Sequence, residues 1–346
     1  MLASTYRRYI SGTDVRFALR RIAVPVERII FGTMTLGHHG RGARVRDAST
    51  ARSMLDLFHD RAYREVDTCY VYGDGSCEQM LGDLDAPDTF EIAVRYDPLA
   101  TERGHEPDVL RACLRASLDR LRAERADLLY LNVRAQDTPW ENTLRTVHEL
   151  HDEGAIAEFG LSNVAADDIE ETMAIVEDNG WLRPTVYQGL YNAATRAAET
   201  ELMPVLRRHG LRFHAYNPLA GGAFAPSFGD EAAVDSGSRF DGSHAQGAQY
   251  RRRYWNEPYL QAMRTFKASC ESSGISPTDA ALRWLVHHSH LDGVHGDGII
   301  LGASRLEHLA QNLDAVQDAP LPPELLRAID EASETARLAW PSVRPA

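Results

Sequence analysis

The sequence predicts an α/β protein with the (β/α)8 TIM-barrel fold. Eight short apolar runs alternate with amphipathic helical patterns from Arg28 to the end of the chain. This alternation indicates parallel strands joined by right-handed helical crossovers, and eight such units close a barrel. A doubly wound dinucleotide fold is the rival architecture, but it would place G-x-G-x-x-G after the first strand, where segment 32–37 reads GTMTLG.

The predicted strands are short, and the helices between them have marked starts. Strands are predicted at 29–32, 65–68, 91–94, 128–132, 158–162, 185–188, 212–216 and 299–302. Three helix starts combine a capping hydroxyl with Gln or Glu three residues later, namely Ser76 with Gln79, Thr138 with Glu141 and Ser304 with Glu307, and Pro139 is expected at N1. The segment from 217 to about 256 shows neither helix nor strand signals, and its length is typical of a lid over a binding site.

Composition limits the classes of protein that fit. The 346 residues are predicted to form an N-terminal extension, 1–25, and a single barrel domain, 26–346. A net charge of −13 argues against a nucleic-acid partner, and no apolar stretch approaches the roughly 20 residues of a membrane helix. Four cysteines without metal-type spacing predict a reducing, cytoplasmic environment. No metal site is predicted, and a homo-oligomer stays open.

The N-terminal extension contains five arginines but lacks the apolar segment of a secretory signal. We expect it to pack against the bottom of the barrel, and a transit peptide is the alternative.

The second strand ends in a pair of residues that suit acid–base chemistry. Asp67 and Tyr72 lie five residues apart, where side chains converge in a barrel mouth. Neighbouring fixed charges are expected to lower the pKa of Tyr72 enough for it to act as a general acid. Spacing alone favours the alternative, a surface turn before a capped helix.

Several ordered motifs resemble the aldo-keto reductases, and most closely their aflatoxin-aldehyde-reductase branch. The similarity spans about 26–333. It rests on DTCYVYGDGSCEQMLG at 67–82, LSN at 161–163, TVYQGLYN at 185–192, AYNPLAGG at 215–222, YRRRYW at 250–255 and HGDGIILGAS at 295–304.

The resemblance implies NADPH lying across the strand ends and a catalytic tetrad of Asp, Tyr, Lys and His. Asp67 and Tyr72 match the tetrad, whereas Arg95 occupies the lysine position and Asn132 the histidine position. Arginine can still pair with Asp67 and donate to Tyr72, although it is bulkier and planar. Asparagine can donate to a carbonyl oxygen but does not titrate. Lys267, the only lysine of the chain, is expected to be solvated on a helix after the lid.

The resemblance also assigns binding roles. Ser162, Asn163 and Gln188 would bind the cofactor carboxamide, and Tyr216 would stack on the nicotinamide ring. Arg305 and His308, at a predicted helix N-terminus, would contact the 2′-phosphate. The remaining predicted cofactor contacts are Gly32, Thr33, Met34, Asn217, Pro218, Leu219, Gly221, Gly302, Ser304, Gln311, Asn312, and Arg239 in compensation for a lysine that the family has near 227.

An aromatic and basic cluster after the lid is the candidate substrate site. It consists of Tyr250, Arg251, Arg253 and Trp255, which suit an anionic or aromatic small molecule. A solvated helix face is the alternative for such an arginine run.

The sequence is compatible with three functions. The first is an NADPH-dependent oxidoreductase that transfers hydride to a carbonyl or conjugated C=C bond. The second is a barrel enzyme of changed chemistry (dehydration, isomerisation or cyclisation), and the third is a non-catalytic NADPH-binding protein. The loss of lysine and histidine from the tetrad motivates the last two.

Overall fold

The protein is a closed barrel of eight parallel strands. The structure, a computed structural model, describes residues 24–135 and 138–341. Each strand pairs in parallel with its sequence neighbours, and β1 closes the barrel by pairing with β8. The strands are β1 Arg28–Gly32, β2 Glu65–Asp67, β3 Glu91–Tyr96, β4 Ala126–Asn132, β5 Ile156–Ser162, β6 Val186–Leu190, β7 Arg212–Tyr216 and β8 Gly298–Leu301.

All eight predicted strands are confirmed, with ends shifted by at most two residues, and the doubly wound alternative is excluded. The apolar runs form strands because both of their faces are covered, as parallel sheets require. In β1, for example, every residue after Arg28 is buried.

Helices surround the barrel. Those described are α1 Ala48–Asp60, α2 Ser76–Asp83, α3 Pro107–Leu121, α4 Trp140–Asp152, α5 Ala166–Asn179, α6 Leu202–His209, α7 Ala245–Tyr254, α8 Glu257–Ser273, α9 Pro277–His287, α10 Leu306–Ala315 and α11 Pro323–Ala336. The spacing of their apolar residues explains their packing. In α3, Leu110, Leu114 and Leu121 share one buried face.

The predicted capping hydroxyls are wrong, although the three helices begin within two residues of the expected positions. Ser76 is the first residue of α2 and not its cap, because its hydroxyl donates to the carbonyl of His39 at 2.7 Å. Pro139 caps α4 without a side-chain hydrogen bond, and the hydroxyl of Thr138 has no partner within the described residues. Ser304 lies two residues before α10, whose N-cap lacks a side-chain hydrogen bond.

The predicted lid, 217–256, is only partly irregular. Its last third forms helix α7, which the high polarity of the segment concealed from the periodicity analysis. Before α7, the lid folds over an aromatic cluster of Phe228, Phe240, Tyr250 and Trp255, with Phe228 and Trp255 ring centroids 5.0 Å apart. The lid therefore has a small core of its own.

Lys267 supports this lid and is not the solvated residue that the sequence suggested. Its ammonium group donates to the carbonyls of Pro226 at 2.9 Å and Phe228 at 2.8 Å. The side chain is half-buried, and burial lowers its pKa. Lys267 thus fastens α8 to the lid.

Most of the predicted N-terminal extension, 1–25, lies outside the described residues. Val24 and Val26 are described and form backbone hydrogen bonds with the segment around α9 and with Gly293. In 24–135 and 138–341, no helix combines the length and apolarity that crossing a membrane would require. All four cysteines are free.

Candidate active site

The candidate site lies at the C-terminal ends of the strands, and strand register sets its layers. Asp67 pairs with Gly32 of β1 on one side and Ala93 of β3 on the other. Across the barrel, Ser162 of β5 pairs with Asn132 of β4 and Gln188 of β6. The chain thus brings its predicted polar residues to one end of the barrel, as the fold class requires.

Asp67, Arg95 and Gln188 form a buried polar cluster. Nη2 of Arg95 donates to both carboxylate oxygens of Asp67, at 3.1 and 3.3 Å. Nε2 of Gln188 donates to the same carboxylate at 2.7 Å, and its Oε1 accepts from Arg95. Burial raises the pKa of Asp67, and the charge of Arg95 offsets part of that rise. The arginine reaches far enough across the barrel to engage an amide that the family resemblance assigns to the cofactor.

Tyr72 faces Arg95 from a tight turn after β2. The turn, Tyr72–Gly75, places Gly73 at a φ of 56°, and a Cβ there would lie 2.5 Å from the hydroxyl oxygen of Ser76. The guanidinium carbon of Arg95 lies 5.9 Å from the centroid of the Tyr72 ring. In the part of the chain that is described, the Tyr72 hydroxyl has no hydrogen-bond partner, which leaves its proton available for donation.

The expectation of a lowered phenol pKa is wrong for this structure. Burial raises the pKa of Tyr72, and Arg95 counters only part of that effect. Tyr72 is therefore protonated at neutral pH, the state that a general acid needs.

Asn132 lies beside this cluster and is held by a second hydrogen-bonded chain. Its Oδ1 accepts from Nδ2 of Asn163 at 2.7 Å. Oδ1 of Asn163 in turn accepts from the hydroxyl of Tyr216 at 2.9 Å. Asn132 lines a side pocket of about 210 Å³ and not the cavity in front of Tyr72. The two pockets share Asn163 and Tyr216 as a common wall.

An inner cavity of about 260 Å³ opens in front of Tyr72 and Arg95. Of the predicted cofactor residues, it is lined by Gly32, Met34, Asn163, Tyr216, Asn217, Pro218, Leu219, Gly221, Arg239 and Gly302. Thr33 turns away, because its hydroxyl donates to the backbone carbonyl of Asp67 at 2.8 Å. Ser162 is fully buried, and its hydroxyl has no partner within the described residues.

An outer groove of about 720 Å³ continues from the inner cavity. Leu219, Gly221, Arg239 and Gly302 line both, so the two form one path across the barrel mouth. Four further predicted cofactor residues line the groove, namely Ser304, His308, Gln311 and Asn312. Arg305 is exposed and lines neither space.

The predicted substrate residues separate into two groups. Tyr250 and Arg253 line the inner cavity. Arg251 does not reach it, since its guanidinium pairs with Glu231 at 2.6 Å. Trp255 packs in the aromatic cluster of the lid and contacts Arg251, whose guanidinium carbon is 4.8 Å from its ring centroid. Arg251 and Trp255 therefore stabilise the lid.

Comparison with known proteins identifies the family. The model of the aldo/keto reductase family matches residues 28–334. The chain belongs to the aldo/keto reductase family. It is 41% identical over 313 residues to human "Aldo-keto reductase family 7 member A3", covering 88% of this chain and 92% of that protein. It is 40% identical over 314 residues to mouse "Aflatoxin B1 aldehyde reductase member 2", covering 88% and 83%. The predicted family and branch are confirmed.

The residues of this aldo-keto reductase fit a phosphate-bearing dinucleotide best in the outer groove. That groove has cationic side chains on one wall and the segment before α10 on another. The fit is less direct in the inner cavity, because the amides of Asn163 and Gln188 already have partners. A carboxamide would have to compete with these hydrogen bonds or share them.

Several residues that line the site were not predicted from the sequence, among them three with charged or amide side chains. Arg44 lines the outer groove, and Asp97 and Gln249 line the inner cavity. Arg44 follows β1 at the catalytic end of the barrel, so its position was a usable signal. Gln249 lies on α7, a helix that the sequence did not reveal.

Proposed function

We propose that this aldo-keto reductase is an NADPH-dependent oxidoreductase that reduces the carbonyl, or a conjugated C=C bond, of a small anionic molecule. The observation that carries the proposal is the phenol of Tyr72 facing Arg95 on the wall of the inner cavity. The barrel and the family support the reaction class, although neither alone determines the reaction.

The side chains divide the chemistry among them. A bound reduced nicotinamide would supply the hydride. Tyr72 would donate its proton to the oxygen of the substrate, and the charge of Arg95 would stabilise the resulting phenolate. Asp67 and Gln188 would hold the guanidinium in place through their hydrogen bonds. The amide of Asn132, fixed by Asn163, would orient a polar group from the adjoining pocket.

Arg253 supports an anionic substrate. It lines the inner cavity and the adjoining pocket, and it has no ion-pair partner in residues 24–135 and 138–341. An unpaired, largely enclosed cation favours a carboxylate in the same space. The mouse relative is named as a reductase of an aflatoxin aldehyde, which is consistent with aldehyde substrates here.

The test follows the absorbance of the reduced nicotinamide with paired aldehydes that carry or lack a carboxylate. We expect oxidation of NADPH with a lower KM for the carboxylated member of each pair. Tyr72→Phe should lower kcat by about 10²–10⁴-fold. Tyr63→Phe, which removes the same hydroxyl outside the cavity, should leave it unchanged. Full activity of Tyr72→Phe would contradict the proposal.

A second candidate function is supported by the occupied amides. Because Gln188 and Asn163 bind within the protein, the barrel is also consistent with non-redox chemistry such as dehydration, isomerisation or cyclisation. Arg95→Lys combined with Asn132→His discriminates between the candidates. If carbonyl reduction rises strongly from nothing in the double variant, the native chain is not a general carbonyl reductase. Tight NADPH binding without turnover would favour the non-catalytic alternative.

The cytoplasmic location that the cysteine content suggests, and a homo-oligomeric state, stay predictions.

A further inference from the structure

Two histidines and an aspartate come together at the C-terminal end of α4, away from the candidate active site. His148, His151 and Asp152 are three and four residues apart, a spacing that places side chains on the same face of a helix. Each offers one ligand atom, and the three atoms lie within 4.8 Å of one another. Imidazole nitrogens and a carboxylate oxygen are ligands that Zn²⁺ accepts.

The distances within this cluster suit a shared ion better than direct hydrogen bonds. Nε2 of His148 lies 3.6 Å from Oδ2 of Asp152, and Nδ1 of His151 lies 3.5 Å from Oδ1 of the same carboxylate. A hydrogen bond from a nitrogen to an oxygen is normally about 2.7–3.2 Å long. Two ligand atoms of a tetrahedral Zn²⁺, each about 2.0–2.1 Å from the ion, are about 3.4 Å apart. The two gaps are therefore close to the edge of such a tetrahedron.

The ring of His148 is oriented by packing. It stacks on the indole of Trp181, with ring centroids 6.3 Å apart and an angle of 29° between the planes. Its Nδ1 is buried and has no hydrogen-bond partner within the described residues, so Nε2 is the nitrogen that faces Asp152. A ligand that is already oriented loses less side-chain entropy when it binds an ion.

The surroundings of the cluster favour a cation. The two neighbouring glutamates, Glu149 and Glu153, form ion pairs with Arg111 at 2.6 and 2.8 Å and so are engaged elsewhere. The C-terminal end of a helix attracts cations, because its last carbonyls carry partial negative charge. The side chain of Asp152 is 64% exposed, so an ion can enter from solvent and a water molecule can complete its coordination.

We propose that His148, His151 and Asp152 bind a divalent transition-metal ion, Zn²⁺ in particular, and that this ion fastens the last turn of α4. The proposal departs from the sequence-based expectation that the chain has no metal site. It also goes beyond the proposed function, because α4 leads into the N-terminal end of β5, at the end of the barrel opposite the candidate active site. The two imidazoles select against Mg²⁺ and Ca²⁺, which prefer oxygen ligands.

Calorimetric titration of the full chain with Zn²⁺ tests the site. We expect one ion to bind with a Kd below about 100 µM, and excess Mg²⁺ to leave this binding unchanged. His148→Gln and His151→Gln should each weaken it by at least about tenfold, because each removes one of three ligands.

His59→Gln is the matched control. His59 and Asp60 are neighbours at the end of α1, with Nδ1 and Oδ1 4.0 Å apart, as His151 and Asp152 are at the end of α4. Within the described residues, no second imidazole joins His59 and Asp60 in a group that could hold a metal ion. The variant should therefore change the Zn²⁺ affinity by less than about twofold.

Fluorescence locates the ion. Cu²⁺ bound at His148 would lie close to the indole of Trp181 and quench its emission. In Trp181→Phe, whose ring can still stack on His148, this quenching should be largely lost. The Zn²⁺ affinity of the same variant should stay within about threefold of the wild-type value.

Hydrogen exchange tests whether the ion fastens the helix end. The backbone N–H groups of Glu153, Gly154 and Ala155 donate to carbonyls in the last turn of α4, each at 2.9 Å. Zn²⁺ should slow their exchange in the wild type and in His59→Gln, and leave it unchanged in His148→Gln.

The proposal is overturned if the wild type binds Zn²⁺ more weakly than about 100 µM, or if His148→Gln binds it as tightly as His59→Gln does. Quenching by Cu²⁺ that persists in Trp181→Phe would place the ion elsewhere and would also overturn it. Zn²⁺ binding without slower exchange would overturn the fastening of α4. All of these measurements are made without NADPH, so their failure and the failure of the proposed function are distinguishable.

Discussion

Replacing Arg95 by methionine should destabilise the protein by leaving a buried carboxylate without its cation. Asp67 is 2% exposed and would keep only the hydrogen bond from Gln188. Breaking a buried ion pair from one side costs roughly 3–5 kcal/mol of the free energy of unfolding. In Asp67→Asn combined with Arg95→Met both charges are gone, so we expect the double variant to recover about 2 kcal/mol or more of that loss.

The pH dependence of this loss follows from the same carboxylate. Burial raises the pKa of Asp67, and removal of Arg95 should raise it further. In the unfolded chain the pKa of an aspartate is about 3.9. Above that pH the folded state binds more protons than the unfolded state, so the free energy of unfolding falls as pH rises, by up to about 1.4 kcal/mol per pH unit. The deficit of the single variant should therefore be larger at pH 8 than at pH 5.

Urea denaturation at pH 5 and pH 8 measures these free energies of unfolding. The proteins compared are the wild type, Arg95→Met, Asp67→Asn and the double variant. The reasoning would be refuted if Arg95→Met were no less stable than the double variant, or if its deficit did not change with pH. Either result would mean that the Asp67 carboxylate is solvated or neutral in the native protein.

Three further predictions concern Tyr72, the buried His214 of β7, and Gly221 on the path between the inner cavity and the outer groove. Since burial raises the pKa of Tyr72, kcat/KM for reduction should stay level to about pH 9, and a decline centred below that would contradict its role. Burial lowers the pKa of His214, so the wild type should lose stability as pH falls below about 6.5. In His214→Gln the midpoint of urea denaturation should depend less steeply on pH. An equally steep dependence in both proteins would exclude a buried neutral histidine. Gly221→Ala should weaken NADPH binding more than about tenfold, because its Cβ would lie 2.4 Å from the Tyr250 ring. Gly180→Ala, with a similar positive φ and nothing within 4 Å, should bind NADPH normally, and equal losses in both would assign the effect to backbone strain alone.

The barrel was predictable because its signals are local and repeated. Each strand is a short apolar run, and the side chains of α3 that face the core recur at helical spacing. Asp67 and Tyr72 were noticed from their places at the end of a predicted strand, but it was the family resemblance that favoured them over a surface turn and that pointed to Arg95. Helix caps were less predictable, since a hydroxyl such as that of Ser76 can bond to a distant loop instead.

Side-chain reach across the barrel was not predictable in this way. Whether Arg95 ends at Asp67 or continues to Gln188 depends on the width of the barrel and on rotamers, neither of which leaves a pattern in the sequence. The prediction that Arg251 contacts the substrate was wrong for a similar reason. Its partner, Glu231, lies 20 residues earlier in an irregular segment, where no periodicity indicates which side chains meet.

Arg95 and Asn132, which the family resemblance places at the lysine and histidine positions of the tetrad, each contact a neighbouring amide side chain. Arg95 engages Gln188, and Asn132 engages Asn163, so each replacement binds one of the amides that the family resemblance assigns to the cofactor. A lysine is a compact point charge and would not reproduce the planar guanidinium of Arg95, whose Nη2 contacts both Asp67 and Gln188. A histidine at 132 would change which group of Asn163 faces it. Under the proposed function, Arg95 and Asn132 would therefore affect the orientation of the cofactor as well as proton transfer. Reverting only one of them would leave one amide engaged, which is why the double reversion tests the chemistry more cleanly than either single change.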